Sequence, residues 1–213
     1  MGHIQVNRHI NAFILADTCA QLGATIGTAS CVSGLSVTVL RRLLYDQSGK
    51  RRGRGIASAI FWYERANNMA KADACMFAAI FMRLCELNDF GINYTPGNAL
   101  IDSFKLYSER CRREPYVSID RAFLLACHLK GIWIQHSPSL SLKTCRHCTS
   151  QYIVHRRNIM SCNNPCVFCH LVKAYATDPR IRRHFPQPDP HPAPQTHERD
   201  LAAEYALHRA GHA

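Results

Sequence analysis

TCRHCTSQYIVHRRNIMSCNNPCVFCHL, Thr144 to Leu171, carries five cysteines, three histidines and no carboxylate. Two C-x2-C pairs, Cys145/Cys148 and Cys166/Cys169, stand 17 residues apart. Two thiolates three residues apart on a tight turn reach one ion, and two such turns close a tetrahedron. Thiolate at all four positions leaves no place for a reacting water, so the spacing reads as one structural Zn2+ per chain. Zinc in such sites contributes about 10–16 kcal/mol of apparent binding free energy near neutral pH. A segment whose core is little more than Gln151–Val154 and Val167–Phe168 needs that help. The fifth thiol, Cys162, is an alternative to Cys166 or Cys169, and His147, His155 and His170 are rival ligands. The compact second knuckle favours Cys166 and Cys169.

The same stretch contains P-C-x-x-C, Pro165 to Cys169, which is half of the zinc deaminase signature. That chemistry needs an upstream His/Cys-x-Glu whose glutamate moves protons, and the chain has none. From Arg121 through Thr177 there is no carboxylate at all. No catalytic residue is assigned, and the expectation is a protein that is not an enzyme.

Outward from this stretch, charge is the next constraint. The chain has 213 residues and a formal net charge of +11. Residues 41–54 hold six Arg/Lys against one acid, and residues 143–183 hold eight against one. The remainder is close to neutral, so the whole excess lies in two segments. Charge gathered in this way is the footprint of a polyanion binder. Solvated basic loops and attraction to acidic lipid are the rival readings. No apolar run approaches the roughly 18–20 residues that span a bilayer. The start, MGHIQVNRHINAF, lacks the apolar core of a secretion signal. These features predict a cytoplasmic protein without a membrane partner. In a reducing compartment the six scattered cysteines, Cys19, Cys31, Cys75, Cys85, Cys111 and Cys127, read as small buried hydrophobes.

The periodicity predicts a mainly α protein. Residues ~4–30 read as one helix, with Ile10, Phe13, Ile14 and Leu22 on one side. In SCVSGLSVTVLRRLLYDQSGKRRGRG, Gly34 sits in a turn and Ser33 or Ser36 can cap a second helix. That helix turns Leu35, Val39, Leu40, Leu43 and Leu44 inward and Thr38, Arg41, Arg42 and Tyr45 outward, and Gly49 stops it. A helix, a glycine turn and a second helix with basic outer positions is the outline of a helix-turn-helix reader, though an ordinary helical hairpin has the same outline. Lys50, Arg51, Arg52 and Arg54 form a basic glycine-rich loop suited to phosphate or minor-groove contact. Asn67–Leu87 reads as a buried helix with Met69, Met76, Ile80 and Leu84 or Leu87 inward. Thr95-Pro96 opens another, carrying Leu100, Ile101, Phe104, Tyr107 and Cys111. A third runs from Ser118 to Gly131 with Ala122, Leu125 and Leu129 on one face. Ile132–Gln135 reads as a short strand. After Phe185 the Pro-rich composition predicts a disordered tail.

The expected organisation is thus a helical DNA- and partner-binding domain (1–136), a zinc-binding module (137–183) and a tail (184–213). In order, QLGATIGTASCVSGLSVTVLRRLLYDQSGK, FWYERANNMAKADACMFAAIFMRL, ALIDSFKLYSERC and the cysteine quartet resemble the bacterial flagellar transcriptional regulator family FlhC over roughly residues 10–183. The resemblance implies a mostly helical subunit with zinc on Cys145, Cys148, Cys166 and Cys169. It also implies a hetero-oligomer with a FlhD-type partner that binds promoter DNA of flagellar operons and activates transcription with RNA polymerase. Thr149 departs from the small residue, usually Gly, expected after the second cysteine. On this reading Arg146, Arg156, Arg157 and the 50–54 loop contact phosphates, while Thr38, Arg41, Arg42 and Tyr45 face bases. A zinc-ribbon RNA-binding protein and a zinc-stabilised interaction scaffold are the alternatives.

Overall fold

A computed structural model describes residues 2–45, 59–86, 94–111, 114–157 and 165–184. It is mainly helical. Helix α1 spans Gly2–Gln21, α2 Ile26–Ser33 and α3 Val37–Leu40, which continues as a π-helical turn, Arg41–Tyr45. Then come α4 Ala59–Arg65, α5 Asn68–Glu86, α6 Pro96–Arg110 and α7 Ile119–Lys130. An antiparallel hairpin follows, β1 Leu140–Thr144 and β2 Gln151–His155, with Leu142 opposite Ile153. Helices α8 Val167–Tyr175 and α9 Pro179–His184 end the described chain. No described helix is long and apolar enough to cross a membrane.

Helix α5 lies at the centre. It packs against α6, α7, β2 and α8. Its alanines at 70, 72, 74 and 78 are buried, as are Phe77, Phe81, Cys75 and Cys85. Small side chains let neighbours approach on more than one side, so no single apolar stripe marks the buried face. Of the inward residues expected here, Met69 is buried, whereas Met76, Ile80 and Leu84 are half-buried at its margin. Leu87 lies outside the described residues. Of the stripes read on α6 and α7, Leu100, Ile101, Phe104, Tyr107, Ala122, Leu125 and Leu129 are all buried, while Cys111, just past the end of α6, is half-buried. Thr95 and Ser118 cap these helices by accepting from Asn98 N and Arg121 N. Gly131 ends α7 at φ +66, where a Cβ would lie 2.8 Å from Pro138 Cδ.

Four expectations are corrected. The first helix ends at Gln21 rather than near residue 30, because Gly23 turns the chain at φ +80 and Thr25 caps a new helix. From His9 onward in α1 the buried positions are Ala16, Cys19 and Ala20, while Ile10 and Ile14 are 50% and 58% exposed. Ile132–Gln135 is a turn and no strand: Trp133 sits at φ +59 and packs at a tilt against Phe123 of α7, ring centroids 5.2 Å apart. In the third helix Leu40 is buried, but Val39 and Leu43 face out, and Tyr45 turns in. The π-helical turn has more residues per turn than an α-helix, so it rotates residues after Arg41 away from the 3.6-residue register. Gly49, the 50–54 loop, Cys162 and the 185–213 tail lie outside the described residues. Of the scattered cysteines, Cys19, Cys75, Cys85 and Cys127 are buried, and Cys31 and Cys111 are half-buried.

A buried carboxylate organises the middle of the chain. Asp73 of α5 accepts from Tyr107 Oη at 2.7 Å and from Tyr116 N at 3.1 Å. Tyr107 Oη in turn accepts from Val117 N at 3.2 Å. One phenol thus bridges α5, α6 and the entry to α7. Tyr107→Phe leaves both a buried carboxylate and a buried N–H short of a partner, and is expected to destabilise the fold by about 1–3 kcal/mol. Urea unfolding checks it; a loss below 0.5 kcal/mol, within the range of ordinary surface substitutions, would remove the bridge from the argument.

Candidate metal centre and nucleic-acid interface

The hairpin and α8 supply the thiols. The β1–β2 connection is closed by Cys145 N to Ser150 O at 2.9 Å and Thr149 N to Cys145 O at 3.0 Å. This tight loop projects Cys145 and Cys148. Cys166 is the N-cap of α8 and Cys169 lies in its first turn; Cys169 N donates to Cys166 Sγ at 3.5 Å. The pairs interlace: Cys145 Sγ is 3.8 Å from Cys169 Sγ, and Cys148 Sγ is 3.4 Å from Cys166 Sγ. All four sulfurs lie within 4.8 Å of one another. Thiolates bonded to a tetrahedral ion at about 2.3 Å stand about 3.8 Å apart, so the four sulfurs fit one ion between them. Among the described residues no histidine joins this group.

The thiols are unequal before any metal binds. The N–H groups of Cys148 and His147 pull Cys145 down to about 6. Ser150 lowers Cys148. Burial raises Cys166, and the neighbouring Cys148 thiol raises Cys169 to about 12. Two of the four are thus easier to ionise than a free thiol and two are harder. A bound cation reverses this by supplying positive charge where the four meet, and binding therefore releases protons.

The metal unit is fastened to the helical body by backbone groups. In the hairpin Ile153 and Leu142 form a non-hydrogen-bonded pair, so Ile153 turns its N–H and C=O away from β1. Ile153 N donates to Cys75 Sγ of α5 at 3.3 Å, and Tyr63 Oη of α4 donates to Ile153 O at 3.3 Å. Burial pushes the Cys75 thiol up to about 11, so it serves as a neutral partner. His128 Nδ1 lies 2.7 Å from Ser139 Oγ, tying the end of α7 to the start of β1. Around the unit, Arg146, Arg156, Arg157 and Lys173 are exposed, and Arg156 Nε donates to Leu140 O at 3.4 Å.

The second basic group lies on the helix pair α2–α3. Gly34, at φ +75, caps α2 with its N–H on Ser30 O. Ser36 caps α3 by accepting from Val39 N. Only Gly34, Leu35 and Ser36 separate the helices, and Ser30 Oγ bonds Leu35 O at 2.7 Å across the turn. Thr38, Arg41 and Arg42 are exposed as expected, beside exposed Val37 and Val39. Tyr45 is not: it is half-buried and donates to Ala24 O at 2.9 Å. Sequence reasoning missed Asp120, buried in the first turn of α7, which accepts from Thr25 N and Thr25 Oγ1, each at 2.9 Å. It also missed Cys75 and Tyr63, since nothing in a single thiol or phenol announces a strand edge.

Thr149 holds a left-handed backbone at φ +59, the position where glycine was expected. Its Oγ1 donates to Cys148 O at 2.7 Å. The left-handed conformation costs a non-glycine residue about 1–2 kcal/mol. Thr149→Gly is therefore expected to stabilise the metal unit by about 1 kcal/mol, less what the lost hydroxyl bond and added chain freedom take back. Thermal unfolding at fixed metal load reads the sign, and a lower melting temperature would mean the hydroxyl bond outweighs the strain.

No curated protein matches the chain. A family model described as flagellar transcriptional activator (FlhC) matches residues 1–181. That family is one of transcriptional activators and not of enzymes. The chain, a mainly helical protein with its cysteine quartet at 145–169, belongs to the FlhC family of flagellar transcriptional activators.

Proposed function

We propose that this chain is the DNA-binding subunit of a cytoplasmic hetero-oligomeric activator. With a FlhD-type partner it binds duplex promoter DNA upstream of flagellar operons and activates transcription with RNA polymerase. The observation that carries the reading is the capped helix pair α2–α3, whose second helix and following turn expose Thr38, Arg41 and Arg42, in a chain whose entire positive excess falls in two segments.

Thr38, Arg41 and Arg42 face base edges, with Val37 and Val39 suited to thymine methyl groups. Arg146, Arg156, Arg157 and the basic residues Lys50, Arg51, Arg52 and Arg54 contact phosphates, which give affinity without sequence information. One Zn2+ per chain on Cys145, Cys148, Cys166 and Cys169 orders the hairpin and α8; thiolate donors and a closed four-coordinate geometry suit that metal. Residues 1–136 carry reading and assembly, and 137–183 the metal unit. The exposed Ile10 and Ile14, one turn apart on α1, offer the FlhD-type partner an apolar face.

Two measurements test this. Binding of the metal-loaded complex to a flagellar promoter fragment and to random duplex is compared across a salt series. Promoter preference, with a slope of about −0.9 per phosphate neutralised, is expected, and Arg41→Ala should cost about 1–3 kcal/mol while relaxing one base position. Equal binding to any duplex would leave only a nonspecific basic protein, and preference for RNA would favour an RNA-binding reading. Separately, Cys145→Ser and Cys166→Ser are expected to lose zinc and hydrogen-exchange protection over the hairpin and α8, while Cys162→Ser keeps both. Full zinc retention by Cys166→Ser would sink this ligand set.

A further inference from the structure

The helix pair that faces DNA in this reading is too short to hold its own direction. α2 has 8 residues and α3 has 4 before the π-helical turn. Helices of that length are marginal by themselves, and their orientation comes from tertiary ties. Two ties converge on adjacent residues. At Thr25, the N-cap of α2, the hydroxyl accepts from Thr28 N and donates to Asp120 Oδ1, and the Thr25 N–H donates to the same oxygen. At Ala24, the carbonyl accepts from Tyr45 Oη, the last residue of the second helix. Tyr45 thereby closes residues 24–45 into one clasp, and Asp120 fixes that clasp to α7 from 95 positions away in sequence. Asp120 is a buried carboxylate that spends both of these bonds on one capping residue.

Resting on the DNA-binding reading above, we propose that Asp120 and Tyr45 are positioning residues for sequence recognition: they set the angle at which Thr38, Arg41 and Arg42 meet the bases. The physical consequence is selective. A base contact works only within the 2.7–3.2 Å range and narrow angles of a hydrogen bond. Phosphate contacts made by long, flexible Arg and Lys side chains absorb a tilt of the helix pair. Loosening the clasp therefore lowers specificity and leaves nonspecific affinity in place.

The test uses the full chain in complex with its co-expressed partner, with promoter and random duplexes of equal length over a salt series. Asp120→Ala is expected to reduce promoter preference by about tenfold, the size of one lost base-pair discrimination. Random-duplex affinity, its salt slope and zinc content stay as in wild type. Asp120→Asn, which keeps an acceptor oxygen for Thr25, is expected to retain most of the preference. Equal weakening on both duplexes would overturn the proposal, since a general structural role predicts that, and so would full preference in Asp120→Ala. If Asp120→Ala does not fold, Tyr45→Phe decides by the same two outcomes, because it removes a single hydroxyl. A wild-type complex with no promoter preference would instead bring down the activator reading, and this inference with it.

Discussion

Everything in this fold leans on α5, and two polar atoms on that helix decide how. A helix packed against several neighbours needs small side chains, and Ala70, Ala72, Ala74 and Ala78 provide them. Close apolar packing alone leaves neighbours free to slide. Asp73 and Cys75, on the same buried helix, remove that freedom. The carboxylate captures Tyr107 of α6 and the backbone before α7, and the thiol captures the backbone of β2. Buried polar groups that must be satisfied thus specify which arrangement of apolar surfaces is the native one.

The edge of the hairpin shows why a thiol suffices. A two-stranded sheet has two open edges, and an isolated hairpin is marginal in water. The outward N–H and C=O of Ile153 need partners once buried against α5. Cys75 Sγ and Tyr63 Oη supply one each. Two strands are then enough, because the helical body covers the edge, and a metal ion on the four thiols would fix one end. Ile153, Val167 and Leu171 belong to the same hydrophobic cluster as Ala16, Leu100 and Leu125. The metal unit and the helical body therefore share one core.

Legibility of the sequence followed the range of the interactions. The caps at Thr95 and Ser118, the stop at Gly131 and the stripes of α6 and α7 are local patterns, and each is readable within a few residues. So are the two knuckles, whose spacing brings four thiols together. What was not readable depends on residues far apart. The inward turn of Tyr45 follows from a π-helical register and an acceptor 21 positions back. The break at Gly23 is visible only to a reader who weighs one glycine against a long apolar run. Asp120 looks like an ordinary first-turn acid, the kind that complements a helix dipole, and its tie to Thr25 cannot be seen without the fold. The strand expected at Ile132–Gln135 had the right composition, but Trp133 finds Phe123 by leaving extended backbone.

These ties connect the two basic regions through a short route. The helix pair is fixed to α7 by Asp120, the hairpin is fixed to α5 by Cys75 and to α7 by Ser139, and α5 packs on α7. Among the described residues, these packed elements join the exposed Arg41 and Arg42 to the arginines that follow β2. Their spacing is thus set by two packed helices and not by a linker. A duplex presents phosphates and base edges at fixed intervals, and a protein that meets both from one rigid frame loses little freedom on binding. A metal ion bound by the four thiols would act on that frame from one end. By drawing the four sulfurs together it would also hold Ile153 and Val167 in the shared core, so order at the thiols would pass into the packing of α5.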